Sequence, residues 1–498
     1  MGKAIAVEAF RLDSAAEGTL QARIRQMVAG GVLAGRLRPG EKMPSSRRLA
    51  AHLGVSRITV TLAYADLVAD DFLRAEGRSG YFVSDTAPQP ASLPRAPQPA
   101  PQGTGPDWAQ WLANRPALEL LNRSKPRDWR AYRYPFIYGQ ADPTLFDHAS
   151  WRHCMLQALG LRDFARMTDD QFEADDPELV TYIARHSLPR RGILARPEEI
   201  LVTLGAQNAL WLAAHGLLGA QHTAAIEEPG YPGMRAILAT TGARMQPVPV
   251  GPQGLELGAL PPGINLLFCT PSHQSPTGAT MPLEARQALL AAAEARDFLI
   301  VEDDYEFEIA PDRAPLPSLK SLDRSGRVIH VGSFSKSLFP GLRLGFMVAP
   351  APLIAQARAL RATMLRHPPG LLQRAAALFL SLGHYDALLR RLTRAYAERR
   401  AVTLQAVATH GLTIAGAADD GGSSLWMRTP DGVAASELAR ALQADGVLIE
   451  DGRPFFAAAD APDRFYRIAY SSIPPERIPD GIARIGARIR AMRRAPGN

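Results

Sequence analysis

The sequence predicts a multidomain chain in which a small α+β unit precedes a large α/β unit, and three observations carry that prediction. Residues 15–85 hold three short helical patterns followed by two strand-like runs, residues 86–107 are rich in proline without apolar periodicity, and from 108 to 495 strand and helix patterns alternate. A chain of 498 residues is also too long for one ordinary core. Its 46% hydrophobic and 21% charged content are those of a globular protein.

The bulk features exclude several classes. Cys154 and Cys269, the two cysteines, stand far apart with no CxxC and no cysteine-histidine cluster, so neither a disulfide framework nor a metal site is expected, and a reducing compartment is. The start, MGKAIAVEAFRLDSAAEG, lacks the apolar core of a signal peptide, and no run of about 18 apolar residues follows. The expectation is a cytoplasmic protein without a membrane partner. A net charge of +7 permits an anionic partner.

In the first unit Leu20, Ile24, Met27 and Val28 recur at helical spacing, which predicts a helix over 15–29 closed by Gly30-Gly31. After the turn Arg38-Pro39-Gly40, the run Pro44 to Gly54 reads as a short capped helix, and Ser56 can cap a third helix from Arg57 to about Asp70. Two helices joined by a short glycine-bearing turn make a helix-turn-helix. Residues 72–84, FLRAEGRSGYFVS, add two short strands around a Gly77-Arg78-Ser79-Gly80 tip, a wing. In such a unit the start of the third helix enters the major groove of double-stranded DNA, which places Ser56, Arg57, Thr59 and Thr61 at the bases and Ser45, Ser46, Arg47 and Arg48 near the backbone, with Arg78 and Ser79 on the wing. Ten Lys/Arg against six Asp/Glu over residues 15–83 supply the phosphate attraction. A small helical module for protein contacts is the alternative on charge alone. The string from Pro39 to Val83 resembles the winged helix-turn-helix of GntR-type repressors, with Ile58 where many of that group carry a polar residue.

The spacer from Ala87 to Pro106 has seven prolines in twenty residues and favours extended polyproline conformation, with a reach of about 60 Å.

Strands in the large unit are predicted at Ile200-Leu204, Thr223-Glu227, Met245-Val250, Ile264-Phe268, Phe298-Glu302, Arg327-Val331 and Leu344-Ala349, a mostly parallel sheet whose carboxyl ends face a ligand. Lys336 lies between two of them in IHVGSFSKSLFPGLRLGF. A nucleophilic amine must be partly neutral, which desolvation or nearby positive charge favours, and Arg343 stands seven residues on. Ser333 and Ser335 leave room for a flat ring and offer hydroxyls to an anion. Gly205 and Ala206 open a helix whose free amides suit a phosphate, and Tyr231 follows the next strand in a loop where it either stacks on a ring or packs. Glu302-Asp303-Asp304-Tyr305-Glu306 puts an acid run after a buried strand, read either as a solvated loop or as a partner for a buried cation. Near the end, Arg467 lies inward on a strand and suits a carboxylate, or else a structural salt bridge.

The lysine string and these stretches, in this order, resemble the fold-type I pyridoxal-phosphate enzymes of the aspartate aminotransferase group. That resemblance implies a large α/β domain with a C-terminal α+β subdomain, and pyridoxal 5'-phosphate as cofactor, bound to Lys336 as a Schiff base. It gives the ring nitrogen to Asp303, with Asp304 as the alternative, the ring oxygen to Tyr305, the phosphate to Gly205, Ala206, Ser333, Ser335 and Arg343, and an effector carboxylate to Arg467. Two departures stand out: Ser275 occupies the asparagine position of the Asn-Pro-Thr-Gly loop, and Asp170-Gln171 the place of a Tyr-Gly pair whose tyrosine reaches the neighbouring subunit's phosphate.

The whole chain, a winged helix-turn-helix on an aminotransferase-like domain, resembles the MocR/GabR family of transcriptional regulators. The resemblance implies a head-to-tail homodimer that binds an operator and senses pyridoxal phosphate or a small amino-compound effector, with transaminase activity weak or vestigial. The rival readings are a working aminotransferase and a repressor whose large domain only dimerises.

Overall fold

The computed structural model describes residues 4–12, 18–87, 106–108, 110, 126–309, 316–417, 422–458 and 460–494. The chain divides into two compact units, Met1–Asn114 and Arg115–Asn498. The proline-rich stretch 88–105 lies outside the described residues.

The small unit is a three-helix bundle with a hairpin. Its helices run Leu20–Leu33, Ser46–Leu53 and Arg57–Ala69, and each starts where a hydroxyl side chain accepts a free backbone amide: Thr19 from Ala22, Ser45 from Arg48, Ser56 from Thr59. The first helix differs from the sequence expectation, because it begins at the Thr19 cap and continues through Gly30-Gly31. Gly31 is a packing position and not a stop: a Cβ there would lie 2.8 Å from a methyl of Leu37. Gly54, at φ 66°, closes the second helix in the left-handed region, which lets the third begin after a short turn. Ile24, Val28, Leu49, Val60 and Leu67 form the core, and the buried Tyr64 donates its hydroxyl to Pro44 O at 3.0 Å. Strands Leu73–Glu76 and Gly80–Val83 pair antiparallel as the wing.

The large unit is built on an eight-stranded sheet in the order Ile200–Thr203, Gly345–Val348, Val328–Ser333, Leu299–Asp304, Leu266–Cys269, Thr223–Glu228, Arg244–Gly251, Gly254–Leu255. Val328–Ser333 through Arg244–Gly251 are parallel to one another, while Gly345–Val348 runs antiparallel to both its neighbours. The carboxyl ends of the parallel strands therefore share one edge with the amino end of Gly345–Val348, and every loop of interest leaves from that edge. Continuous burial along Ile200–Thr203, Leu266–Cys269 and Gly345–Val348 reflects cover on both faces. The C-terminal subdomain is a four-stranded antiparallel sheet, Thr413–Ile414, Ser424–Arg428, Phe465–Ala469 and Glu450–Asp451, backed by helices Ala435–Ala444 and Ile478–Arg494. This is the α/β unit with an α+β subdomain that the sequence predicts.

One buried charge cluster ties a loop to the sheet. Asp175 takes Arg361 Nη1 at 2.7 Å and Arg358 Nη1 at 2.8 Å, and accepts Val202 N at 3.2 Å. The Asp175 and Arg361 side chains are both fully buried. Removing the acid strands a guanidinium away from water, so Asp175→Ala is expected to cost about 3 to 5 kcal/mol, read as a fall in the urea midpoint of the large unit. A shift no larger than that of an exposed substitution would contradict the assignment.

Candidate functional site

The site is assembled by strand register. Thr203 pairs with Gly345 and Gly345 with Ser333, so the ends of three strands lie side by side, and Asp303 lies on the strand next to them. Along Leu299–Asp304 successive side chains point to opposite faces. Asp304 is closed off by Arg191, whose Nε lies 2.6 Å from Oδ2 with both side chains about 1% exposed, and Glu302 takes Leu319 N, Lys320 N and His330. Asp303 is left on the other face. Asp304 thus lies on the opposite face with one oxygen in an ion pair, while its Oδ1, like that of Asp303, has no hydrogen-bond partner among the described residues.

Asp303 Oδ1 is buried and has no hydrogen-bond partner among the described residues. Burial, then the charges of Asp304 and Glu227, push its carboxyl up to about 7, against the opposing effect of Lys336. A buried carboxyl in this state is completed by a cationic N–H donor.

Lys336 sits in the loop after Val328–Ser333 with Nζ 3.9 Å from the ring centre of Tyr138. Gly139 lies beside it in the left-handed region, at φ +76°, which favours glycine, and a Cβ there would stand 2.8 Å from the flexible Nζ. Burial lowers the amine from 10.5 to about 8; Arg467 adds to the lowering, while Glu306, Glu450 and Asp303 oppose it. The positive neighbour is thus Arg467, and not Arg343 as the sequence spacing suggests. Arg343 instead turns back through the left-handed region, at φ 53°, and donates Nη2 to Leu204 O at 3.1 Å.

That turn brings the Arg343 guanidinium to the start of the helix that opens at Gly205. Helix Gly205–Leu217 starts with no side-chain cap, so the amides of its first turn are not taken by a capping side chain. Gly205 has φ +74°, and a Cβ on it would come within 3.1 Å of Arg343 Nη2. Ala206 follows in the same turn. Ser333 Oγ accepts Ser335 N at 3.1 Å, and Ser335 Oγ is buried without a partner among the described residues.

Tyr231 donates its hydroxyl to Gln207 Oε1 at 2.7 Å, and Tyr305 donates to His273 O at 2.8 Å. A cavity of about 30 Å³ is lined by Tyr231, Asp303, Glu227 and Thr270, and a separate one of about 10 Å³ by Gly139, Glu306, Ser335 and Lys336. Arg467, in the middle of the C-terminal sheet, gives Nε to Glu450 Oε2 at 2.7 Å and stacks its guanidinium 4.0 Å from the Tyr138 ring centre. Ser275 carries its carbonyl to Gln274 Nε2 at 2.9 Å. Asp170 pairs with Arg366.

The sequence reading missed Tyr138 and Glu306. Glu306 accepts Tyr138 Oη at 2.9 Å and Ser423 Oγ at 2.7 Å, and its second oxygen is buried 3.7 Å from His273 Nε2. Glu306 was visible only as one acid in a run, and Tyr138 approaches from a segment nearly two hundred residues upstream with no motif to mark it.

On the small unit, Ser45, Arg47, Arg48, Ser56, Arg57, Thr61 and Ser79 are exposed, Ser46 and Thr59 half-buried. Arg57 Nε lies 3.5 Å from Ser46 Oγ, which links the two helices of the motif. Arg78 lies in the turn Gly77–Ser79 at the wing tip, and its side chain is outside the described ones.

Comparison with known proteins agrees with both units. Residues 20–83 match the family described as bacterial regulatory proteins, gntR family, and residues 172–485 match aminotransferase class I and II. The chain is 60% identical to the HTH-type transcriptional regulator TauR of Rhodobacter capsulatus, over 98% of this chain and 100% of that one. It is 32% identical to the probable rhizopine catabolism regulatory protein MocR of Rhizobium meliloti, over 97% and 96%. Among solved structures, LysN, an alpha-aminoadipate aminotransferase from Thermus thermophilus complexed with N-(5'-phosphopyridoxyl)-L-leucine, superposes with a TM-score of 0.67 at 29% identity, over 74% of this chain and 96% of that one. The chain belongs to the MocR/GabR family of transcriptional regulators, in which a GntR-type helix-turn-helix is fused to an aminotransferase class I and II domain.

Proposed function

We propose that this regulator holds pyridoxal 5'-phosphate through Lys336 and alters its grip on operator DNA in response to that cofactor or to a small amino-compound effector. The observation that carries the reading is the orphaned carboxylate oxygen of Asp303 on the face that also meets Lys336. A protonated pyridine nitrogen is the donor such an oxygen lacks. The phosphopyridoxyl ligand of the Thermus thermophilus neighbour supports the same chemistry.

When bound, the cofactor supplies an aldehyde carbon to amines and a protonated ring as an electron sink. Asp303 keeps the proton at the ring nitrogen, Tyr305 serves the ring oxygen and Tyr231 the ring face. Gly205, Ala206, Ser333, Ser335 and Arg343 hold the phosphate. Lys336, largely neutral just above pH 8, is the nucleophile, and Tyr138 and Gly139 keep water from it. Arg467, backed by Glu450, receives the effector's acid group. Ser275 offers no amide to the ring oxygen, which favours a sensor over a working aminotransferase.

An effector shifts DNA binding only through its differing affinity for two arrangements of the protein. The arrangements we propose are those of a head-to-tail homodimer in the cytoplasm. The apolar residues Leu156, Leu159, Leu161 and Phe164, exposed between 47% and 92% on one stretch of the large unit, suit a second copy. No helix among the described residues is long and apolar enough to cross a membrane.

The amine's environment sets a pH profile. In competitive acetylation of the cofactor-free chain, Lys336 is expected to reach half its limiting reactivity near pH 8, since the neutral form dominates above that value, while an ordinary lysine is still gaining reactivity near about 10.4. A Lys336 profile that keeps rising to about pH 10 would contradict the buried-amine assignment. For the sensor, Lys336→Ala is expected to lose the visible absorbance formed on adding pyridoxal phosphate and to bind the operator equally with and without cofactor and amines, where the unmodified chain changes affinity by about fivefold or more. Retention of the response by Lys336→Ala would reject the reading.

A further inference from the structure

The recognition helix Arg57–Ala69 presents an unexpected outer face. Ile58 is 69% exposed and Leu62, one turn on, is 48% exposed. Ile58 is the most exposed large hydrophobic residue among the described residues of the winged helix. A single exposed apolar side chain needs no explanation, but these two stand four apart, on the same side of the helix, about 6 Å apart along its axis. They lie at the end where such helices meet base edges.

The polar neighbours are already engaged by the protein. Ser56 Oγ accepts Thr59 N at 3.2 Å and lies 2.7 Å from Thr59 Oγ1, so both hydroxyls serve the helix cap. Thr61 Oγ1 donates back to Arg57 O at 2.9 Å. Arg57 leans on Ser46. Beside the exposed Arg57 guanidinium, the first two turns present the apolar pair Ile58 and Leu62 outward. In the major groove the apolar feature of a base pair is the 5-methyl group of thymine, and an aliphatic side chain excludes water from it.

We propose that Ile58, flanked by Leu62, reads a thymine methyl in each operator half-site. This rests on the DNA-binding reading of the helix-turn-helix. The side chain selects a T·A pair by contact with the methyl and by leaving a cytosine amino group or a guanine carbonyl without a hydrogen-bond partner.

The test uses the full chain and a duplex obtained by in vitro selection from random sequence. Each thymine of that duplex is replaced in turn by deoxyuridine, which removes the methyl and keeps every hydrogen-bonding group. At one position per half-site the unmodified protein is expected to lose affinity about fourfold, the worth of one buried methyl-sized group, while Ile58→Ala loses nothing at that position and retains binding to non-specific duplex. If no thymine shows this difference between protein and variant, the proposal falls and the DNA-binding reading stands. If selection enriches no sequence at all, the DNA-binding reading falls and takes the proposal with it.

Discussion

A lysine amine is half neutral near pH 8 only where water is kept from it, and the rest of the large unit depends on how that exclusion is made. Tyr138 lies against one side of Lys336 and the backbone of Gly139 lies close beside it. The opposite pull comes from acids: Glu306, Glu450 and Asp303 each favour the charged amine, and burial outweighs them. The site therefore holds an amine near balance, with a carboxyl oxygen of Asp303 that lacks a partner among the described residues on the adjoining strand end, and Arg343 with the uncapped helix start at Gly205 across the sheet edge. In the function proposed above, these three features take the aldehyde, the ring nitrogen and the phosphate of one small molecule.

Much of this was legible from the residues. The seven predicted strands all form, because long apolar runs bounded by turn residues have few other ways to bury themselves. The order of motifs along the chain gives the sheet edge on which Lys336, Asp303 and Gly205 meet. Side-chain alternation is harder to read inside an acid run, and only the Arg191 ion pair shows that Asp304 faces away from the site. Distance in sequence hid the rest. Tyr138 and Arg467 reach Lys336 by folding of segments that carry no local signal toward it, so on spacing alone the nearer Arg343 stands in for the charge beside the amine. The end of the first helix is hidden for a local reason, because Gly31 reads as a stop when its missing Cβ serves close packing against Leu37.

The two ends of the chain use opposite kinds of recognition. In the large unit, buried groups whose hydrogen bonds are unmet among the described residues suit recognition of a ligand by its chemistry. On the recognition helix the Ser56, Thr59 and Thr61 hydroxyls are bonded within the helix, and Ile58 and Leu62 add an apolar pair to its outer face.

Borohydride reduction of the protein after incubation with pyridoxal phosphate, followed by peptide mass mapping, tests the central claim most directly. The account predicts one pyridoxyl group per chain, on the peptide carrying Lys336. A label on Lys320 or Lys42 instead, or none at all, would contradict it.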